Sequence, residues 1–309
     1  MYDGNTQTEE VACYGAGSLG SNEDKSHVFT SLLGEQMEYC NVIGVGVTEA
    51  GLVQGSKAML DLTEVLFECY KMGLKSNTNP NGRICVLNTD NVPQNGSTIQ
   101  YFVMDAATST CIGDEGFLQF LREKVVFHNT MVDRITSQRE GSSGMVPLCE
   151  PVPAKALVVE DLNGDLPLAL LDEMIQSGFG VVVRKDAGRL DSDIALKLRV
   201  ANGTHTAVAH VMALCSLLLT DILSNDNPDT EGALLMKYLD ALFDGQILVA
   251  GKLRFEGGNT QAVYDDWRKR LRHPSFGLSS FFITQNGAAK GGIRIAPTVR
   301  DLLMNGKVS

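Results

Sequence analysis

The sequence predicts an α/β fold in which a parallel sheet with intervening helices is followed by a mainly α-helical region. In the first half of the chain, short apolar runs alternate with helical patterns, which is the order expected when crossover helices join parallel strands. After about residue 187 the pattern changes to longer segments with helical periodicity. We therefore predict two domains, at residues 1–187 and 188–309.

The individual elements follow from local patterns. Short apolar runs predict strands at residues 10–14, 41–47, 83–87, 125–127, 156–160 and 180–184. Apolar residues at helical spacing predict helices at 57–72, 100–107, 115–124, 232–243, 261–272 and 298–304. Residues 191–223 are expected to form either one long helix or two that separate at Asn202-Gly203. Their apolar end, 207–223, is interrupted by polar residues and is too short to cross a bilayer, which indicates a buried helix. The basic run RKRLRH at 268–273 is interpreted as a solvated helix face.

Composition and net charge indicate which kinds of binding partner are expected and which are not. The chain has 309 residues, of which 44% are hydrophobic and 20% charged, enough apolar material for a sizeable core. A net charge of -11 argues against nucleic-acid binding, which needs basic surface to neutralise phosphate, and weakens attachment to anionic membranes. The polar, acidic start MYDGNTQTEE is unlike a signal peptide. The seven cysteines contain no C-x-x-C pair and are odd in number, which indicates reduced thiols in a cytoplasmic protein.

The most informative segment is ALKLRVANGTHTA at residues 195–207, which places Lys197, Asn202 and His205 among apolar neighbours. A cation, an amide and an imidazole at this spacing can bind an oxygen and move a proton, as the interconversion of an alcohol and a carbonyl requires. In a regular helix Asn202 lies about 140° and His205 about 80° around from Lys197, so the three can face one cleft. The alternative is structural, because a buried histidine usually just finds a hydrogen-bond partner, and Lys197 and Arg199 can flank a helix start.

Several segments resemble, in order, motifs of the polyol-specific long-chain dehydrogenases, the mannitol dehydrogenase family. The resemblance runs from about residue 30 to the end of the chain. It is found in VTEAGL at 47–52, NTDNVPQNG at 88–96, FHNTMVDRIT at 127–136, VVED at 158–161, the Lys-x4-Asn-x2-His segment at 197–205, and RIAP at 294–297. The variant NGTHT is nearest the family's tagaturonate reductase (altronate oxidoreductase) branch. His128 stands where the family usually has proline.

The resemblance implies a Rossmann-like nucleotide-binding domain at 1–187 and a mainly helical substrate and catalytic domain at 188–309. Lys197 would be the general base in alcohol oxidation and the proton donor in carbonyl reduction, which requires that its pKa be lowered by burial or a neighbouring cation. Asn202 and His205 would donate hydrogen bonds to the substrate oxygen as it gains charge. Hydride would pass directly between substrate and nicotinamide, so no metal is expected.

The same resemblance implies a set of cofactor residues. Thr48 and Glu49 would line the cofactor cleft. Asn91 would bind the substrate or the nicotinamide ribose, and its alternative is an ordinary asparagine in a turn. The expected cofactor is NAD, with NADP not excluded.

Residues that would bind substrate are also implied. Asp133 would contact the substrate, with a structural ion pair as the alternative. Lys290 would meet the far end of the sugar and, if the substrate is a hexuronate, would pair with its carboxylate together with Arg294. The alternative for this pair is a solvated basic loop.

The family's nucleotide-binding domain begins with a strand, a Gly-rich turn that cradles the pyrophosphate, and a helix. The family's G-x-G-x-F-x-R-x-H segment is not found in this sequence, so the resemblance predicts an incomplete domain that lacks its first strand and this turn. Residues 15–20, GAGSLG, fit G-x-G-x-x-G, but a polar segment at 21–27 follows where a helix should pack. We therefore interpret residues 15–20 as a turn between a strand and a surface loop.

Two hypotheses follow from the sequence. The first is an NAD(H)-dependent oxidoreductase that interconverts a secondary alcohol and a ketone on a sugar alcohol or hexuronate, of the mannitol/fructose or altronate/tagaturonate type. The second is a catalytically silent or truncated homologue that acts as a binding protein, with an uncovered sheet edge that invites association. The expected protein is a cytoplasmic monomer or weak homo-oligomer that binds neither nucleic acid nor membrane.

Overall fold

The computed structural model describes residues 40–47, 51–77, 81–89, 92–110, 114–134, 136–138, 147–149, 155–167, 178, 180–225, 227–255, 260–273 and 277–307. These residues group into two compact units. The sheet unit contains the described parts of Gln7–Val132 and Leu157–Leu190, and the helical unit those of Asp133–Ala156 and Asp191–Ser309. The predicted domain boundary after residue 187 stays a prediction. The strand expected at 10–14 and the turn at 15–20 lie outside the described residues.

Short strands form the frame of the sheet unit. The strands of the described chain are β1 (Val42–Val45), β2 (Ile84–Asn88), β3 (Val125–His128), β4 (Thr130–Val132), β5 (Thr136–Gln138), β6 (Pro147–Cys149), β7 (Leu157–Glu160) and β8 (Val181–Arg184). Strands β1, β2 and β3 form one parallel sheet in that order. A second sheet has the order β4-β7-β8, in which β8 is parallel and β4 antiparallel to β7. The predicted α/β fold with a Rossmann-like parallel sheet is confirmed, and the antiparallel β4 is an addition to it.

Three helices cover the first sheet: α1 (Lys57–Lys71), α2 (Asn95–Thr110) and α3 (Glu115–Lys124). Ser56 caps the start of α1, because its hydroxyl accepts a hydrogen bond from the Met59 backbone N–H. Asp114 caps the start of α3 in the same way, because its carboxylate accepts a hydrogen bond from the Phe117 backbone N–H. The core between helices and sheet consists of fully buried side chains that include Met59, Leu66, Val86, Phe117 and Leu121.

The start of α2 is fixed to the connection between β3 and β4, and this explains the Asn-Gly pair of the sequence motif. The Asn95 side chain donates to the Thr130 hydroxyl at 2.9 Å and accepts the Thr130 backbone N–H at 2.9 Å. A Cβ on Gly96 would lie 2.3 Å from the His128 carbonyl oxygen. Helix α2 begins five residues earlier than the predicted start at residue 100, because side-chain hydrogen bonds and not apolar spacing define its first turn.

The helical unit consists mainly of helices that run on through π-helical turns. Its helices are α4 (Arg189–Lys197), a π turn (Leu198–Asn202), α5 (Gly203–Leu214), a 3-10 turn (Thr220–Ser224), α6 (Glu231–Leu242), a second π turn (Phe243–Ile247), α7 (Leu248–Arg254), α8 (Thr260–Leu271), α9 (Ser280–Thr284), α10 (Gly287–Arg294) and α11 (Ala296–Met304). Helix α4 begins at Arg189, so its first two residues, Arg189 and Leu190, belong to the sheet unit and the rest of the helix belongs to the helical unit. The short strands β5 and β6 pair antiparallel in the same unit.

The predicted helix at 191–223 is wrong in its last part. Helix α5 ends at Leu214 because Ser216 adopts a left-handed backbone conformation with φ of 58°, and the Leu217 N–H then bonds back to the Met212 carbonyl. Leu214 and Leu218 are exposed and not buried as expected. The separation considered at Asn202-Gly203 is absent, since the described helix continues there through the first π turn.

Two apolar clusters hold the helical unit together. One contains Val208 and Met212 of α5, Leu239 of α6 and Trp267 of α8. The other joins the two π turns, and its members are Leu196, Val200, Phe243, Ile247 and Tyr264. The rings of Phe243 and Tyr264 stack with centroids 3.8 Å apart. These clusters fix α8 against α4 and α5, which positions the polar residues described below.

Among the helices of the described residues, none combines the length and the apolar character needed to cross a membrane.

Replacement of Gly96 by alanine tests the close contact at the start of α2. We expect Gly96→Ala to lower the free energy of unfolding by roughly 1–3 kcal/mol, because the added methyl group overlaps the His128 carbonyl, a backbone atom that cannot rotate away. Gly44→Ala is the control, since a Cβ there meets nothing within 4 Å, and it should be neutral or slightly stabilising. Denaturant unfolding of both variants gives the comparison. Equal losses at the two positions would contradict this account of the Asn-Gly pair.

Candidate active site

The first π turn brings Lys197, Asn202 and His205 onto one side of the helix. Lys197 ends α4, Asn202 ends the π turn, and His205 lies in the first turn of α5. A single π turn inserts one residue into an α-helix, so the angular positions of later residues move back by about 100°. Asn202 then lies about 40° to one side of Lys197 and His205 about 20° to the other, in place of the 140° and 80° of a regular helix.

Close packing at Gly203 accompanies this turn. A Cβ on Gly203 would lie 3.1 Å from the Arg294 carbonyl oxygen, so glycine lets the end of α10 approach the π turn. The Thr204 hydroxyl donates to the Val200 carbonyl at 2.7 Å, which is a side-chain bond within the irregular turn. The sequence Asn-Gly-Thr-His therefore combines a site residue, a contact position and a local hydrogen bond.

The Lys197 amine is buried next to a carboxylate that it shares with an arginine. Its Nζ lies 3.6 Å from Oδ1 of Asp133, a long ion pair. The other carboxylate oxygen of Asp133, Oδ2, accepts a hydrogen bond from Nη2 of Arg270 at 2.7 Å. Asp133 is thus closer to Arg270 than to Lys197, and the ion pair between Asp133 and Lys197 is the longer of the two.

The pKa of Lys197 is lowered by this environment. Burial is the largest cause, and the positive charges of Arg270 and Arg294 act in the same direction. The nearby Asp133 carboxylate opposes the shift without cancelling it. The amine can therefore lose its proton more readily than an exposed lysine, as the sequence analysis required of a general base.

His205 is buried against an aromatic wall. Its ring centroid lies 5.4 Å from that of Trp267, whose indole N–H donates to the Thr204 hydroxyl at 3.1 Å. Burial lowers the pKa of His205 to about 3, with further contributions from the cations Arg294 and Lys290. The imidazole is neutral at any pH near 7, so it can donate one hydrogen bond but is a poor proton acceptor.

Helix α10 carries two cations, Lys290 and Arg294, that both lower the pKa of His205. The Arg294 guanidinium donates to the Thr206 hydroxyl at 3.0 Å, and it lowers the pKa of both Lys197 and His205. The Lys290 amine donates to the Ile283 carbonyl at 2.8 Å. The structure therefore places Lys197 beside Asp133 and in electrostatic range of Arg294. His205 is in electrostatic range of Arg294 and Lys290, and Asn202 lies between Lys197 and His205 at the end of the π turn.

Arg270 is a site residue that the sequence analysis missed. The run at 268–273 was interpreted as a solvated face, but Arg270 is fully buried. It bonds Asp133 and, at 3.0 Å, Asp266, and its guanidinium lies over the Trp267 ring at 5.1 Å from the centroid. The interpretation is wrong at this position because paired carboxylates and an aromatic face replace the water that a buried cation loses.

A cavity of about 360 Å³ lies on the neighbouring face of α5. Its mostly apolar wall includes Thr206, His210, Leu214, Leu242, Arg294 and Val299. Lys197, Asn202 and His205 do not line it, and Arg294 is the predicted substrate residue that does. The cavity is therefore not where the predicted catalytic residues lie. We place the candidate site at the buried polar residues around Lys197, Asp133 and His205.

The residues expected to hold the cofactor, Thr48, Glu49 and Asn91, lie outside the described residues. The strands that lead to them are described. The carboxyl ends of β1 and β2 are aligned, with Val45 opposite Asn88, and β3 ends beside them, with Leu87 opposite His128. In parallel α/β sheets dinucleotides bind at this edge, so the edge suits the expected cofactor.

The sheet and helix arrangement defines the class of a Rossmann-type protein with a helical second unit, and comparison with known proteins shows which family its Rossmann domain resembles. Residues 15–165 match the family model of the mannitol dehydrogenase Rossmann domain. Two curated proteins of Saccharomyces cerevisiae, Mannitol dehydrogenase DSF1 and Mannitol dehydrogenase 2, are each 32% identical to this chain over 178 residues. The match covers 53% of this chain and 31% of each relative, so it spans about a third of their length. Residues 15–165 therefore resemble the Rossmann domain of the mannitol dehydrogenase family, as the motifs implied, whereas the tagaturonate reductase branch stays a prediction.

Solved structures share the fold. A D-sorbitol dehydrogenase in substrate-free form superposes with a TM-score of 0.66 at 17% identity, over 92% of this chain and 60% of that one. The mannitol 2-dehydrogenase of Pseudomonas fluorescens, solved as a ternary complex with NAD and D-mannitol, gives a TM-score of 0.61 at 18% identity, over 92% of this chain and 59% of that one. At this identity the likeness shows the fold alone.

The burial of His205 predicts a pH-dependent stability. The unfolded chain binds a proton at His205 near its ordinary pKa of 6.5, whereas the native chain does so near 3, so the free energy of unfolding falls as the pH decreases through this window. His205→Gln should lose this part of the dependence, roughly 1.4 kcal/mol per pH unit. Denaturant unfolding at several pH values between 7.5 and 5 measures it.

The control for this experiment is His210→Gln, because His210 lies in the same helix but is exposed. It should keep the wild-type pH dependence. A His205→Gln curve parallel to that of the wild-type protein would show that His205 is not neutral in the native state.

Proposed function

We propose that the protein is a nicotinamide-dependent oxidoreductase that interconverts a secondary alcohol and a ketone on a sugar alcohol or a hexuronate. The observation that supports this most is the buried Lys197 amine, which has a lowered pKa and lies 3.6 Å from the Asp133 carboxylate. Lys197 lies near Asn202 and His205 in sequence, in a chain whose residues 15–165 match the Rossmann domain of the mannitol dehydrogenases. The match to whole relatives is partial, so activity and substrate are part of the proposal.

Lys197 moves the proton in this proposal. In oxidation its neutral amine accepts the proton of the substrate hydroxyl, and in reduction its ammonium returns a proton to the carbonyl oxygen. The lowered pKa increases the neutral fraction near pH 7, which favours the base function. Asp133 and Arg270 keep the amine in place from the side of α8.

Asn202 and His205 stabilise the substrate oxygen. Negative charge develops on this oxygen as a carbonyl is reduced, and an amide N–H and an imidazole N–H aimed at it lower the barrier. His205 suits this function because it is neutral and does not compete with Lys197 for the proton. Packing against Trp267 holds the ring in one orientation.

NAD fits the parallel sheet of the first unit. A bound nicotinamide supplies the hydride acceptor or donor for the reaction. In the sequence, Thr48 and Glu49 come after β1 and Asn91 comes after β2, and cofactors of this type bind beyond the carboxyl ends of such strands. One structural neighbour, a mannitol 2-dehydrogenase, is a complex with NAD, which supports the same class of cofactor here.

The charge around the site favours a substrate with an acidic end. The chain carries a net charge of -11, yet Lys290 and Arg294 create a locally positive potential that is visible in the lowered pKa of His205. Arg294 can pair with a carboxylate through its planar guanidinium. This supports hexuronate reduction of the tagaturonate type over mannitol oxidation, with Asp133, Lys290 and Arg294 as the substrate-binding residues.

Binding of NADH is the first test. Fluorescence titration of the full chain with NADH should show saturable binding at micromolar concentration. A screen of ketoses and ketohexuronates for NADH consumption would then identify the substrate, and NADPH titrated in parallel gives the cofactor preference. No binding up to millimolar concentration would contradict the proposal and support a binding protein without catalysis.

Replacement of Lys197 tests the mechanism. Lys197→Met should lower kcat by about 10²–10⁴-fold, the usual contribution of general acid–base catalysis, with little change in the Kd of NADH. In the wild-type protein kcat for oxidation should rise with pH along a limb centred below pH 10.5, because the pKa of Lys197 is lowered from that value. Lys252→Met, at an exposed lysine of the same unit, is the control. Turnover that survives in Lys197→Met would remove Lys197 from the mechanism.

A further inference from the structure

Arg270 faces the proposed site from α8 without belonging to the family motifs noted above. It is fully buried, and its guanidinium bonds Asp133 at 2.7 Å and Asp266 at 3.0 Å. Lys197 approaches the other oxygen of the Asp133 carboxylate at 3.6 Å. One carboxylate thus faces two cations, and the shorter contact belongs to the arginine.

We propose that Arg270 is a positioning residue that keeps the Lys197 amine available for proton transfer, because it holds the Asp133 carboxylate back from a full ion pair with Lys197. The inference rests on the proposed function, in which Lys197 carries the proton. A carboxylate in direct contact with an ammonium holds it in the charged form, which suppresses its action as a base. A carboxylate fixed at 3.6 Å orients the amine with a weaker hold on its proton.

The surroundings prevent Arg270 from moving out of this position. Its guanidinium is fixed by Asp133 on one edge and Asp266 on another, with the Trp267 ring against its face. Because five N–H donors lie in one plane, this arrangement fixes the carboxylate in direction as well as distance. Helix α8 is itself packed into the apolar core through Trp267 and Leu271.

Two effects of Arg270 on Lys197 act in the same direction. Its positive charge repels a proton on the amine directly, as does that of Arg294 from α10. It also engages the Asp133 carboxylate, the charged group that favours protonation of Lys197. Loss of Arg270 would remove the repulsion and release the carboxylate, so both changes would raise the pKa of Lys197.

The test measures protonation of Lys197 in the full chain without substrate or cofactor. Acetic anhydride acylates neutral amines, so the rate of Lys197 acylation against pH, read by peptide mass spectrometry, gives the midpoint of its titration. The amine of Lys57, whose side chain is 64% exposed, reports the effective reagent concentration. Arg270→Gln should move the Lys197 midpoint upward by about one pH unit or more.

The matched control is Arg268→Gln. Arg268 lies in the same helix and pairs with Asp240 at 2.7 Å, away from Lys197. It should leave the Lys197 midpoint unchanged. An upward shift in Arg268→Gln equal to that in Arg270→Gln would overturn the inference.

Further variants cover the case in which Arg270→Gln does not fold. Arg270→Lys keeps the buried charge but replaces the planar fork by a single point contact, so Asp133 is released in part and the midpoint should still rise, by less. The double variant Arg270→Gln/Asp133→Asn has no carboxylate to hold the ammonium, so its midpoint should be no higher than that of the wild-type protein. An unchanged midpoint in either single variant that folds, or a raised one in the double variant, would overturn the inference.

This measurement is independent of turnover. If no polyol or hexuronate is converted, the proposed function fails, while the acylation midpoints still decide whether Arg270 controls the protonation of Lys197. If turnover is found, the low-pH limb of kcat for oxidation should shift upward in Arg270→Lys by the same amount as the midpoint, whereas a merely structural loss would lower kcat without moving the limb.

Discussion

The sharing of the Asp133 carboxylate between Arg270 and Lys197 is the interaction on which the helical unit and its chemistry depend. A guanidinium cannot lose its proton, so a buried arginine requires a full counter-charge. An amine can lose its proton, so a buried lysine tolerates a partial one. The Asp133 carboxylate lies 2.7 Å from the Arg270 guanidinium and 3.6 Å from the Lys197 amine, in agreement with these unequal requirements. Arg270 thus has the closer contact with the carboxylate, and the pKa of Lys197 is lowered.

The apolar packing of the unit gives this polar group its geometry. Trp267 contributes to the core beside Val208 and Met212, and the same indole contacts His205, bonds Thr204 and lies under Arg270. A rigid hydrophobic side chain thus sets the relative positions of polar ones, which is how a site can be organised before substrate binds. Burial also excludes water, and this exclusion lowers the pKa of both Lys197 and His205.

Sequence reasoning predicted the fold and singled out the segment that carries the candidate site, and it failed where contacts between distant residues decide. Short apolar runs predicted the parallel strands because apolar side chains dominate them, and the central strand β2 is almost wholly buried. Arg270 was missed because its burial depends on Asp133, far away in the chain. A signal was present: Arg270 follows Trp267 by three residues and Asp266 by four, on the border of the apolar face of α8. The end of α5 at Leu214 depends on the left-handed Ser216, which a run of leucines conceals.

The π turn at Leu198–Asn202 changes the directions in which the side chains after it point. Lys197 and Asn202 are separated by one residue more than would place them on the same side of a regular α-helix. A relative with one residue fewer there and an unbroken α-helix would present the same three groups in the same directions. The sequence spacing of the three residues is therefore not enough to compare relatives in this segment unless their backbone conformation is known. Relatives would have to preserve the directions of the three side chains, not the number of residues between them.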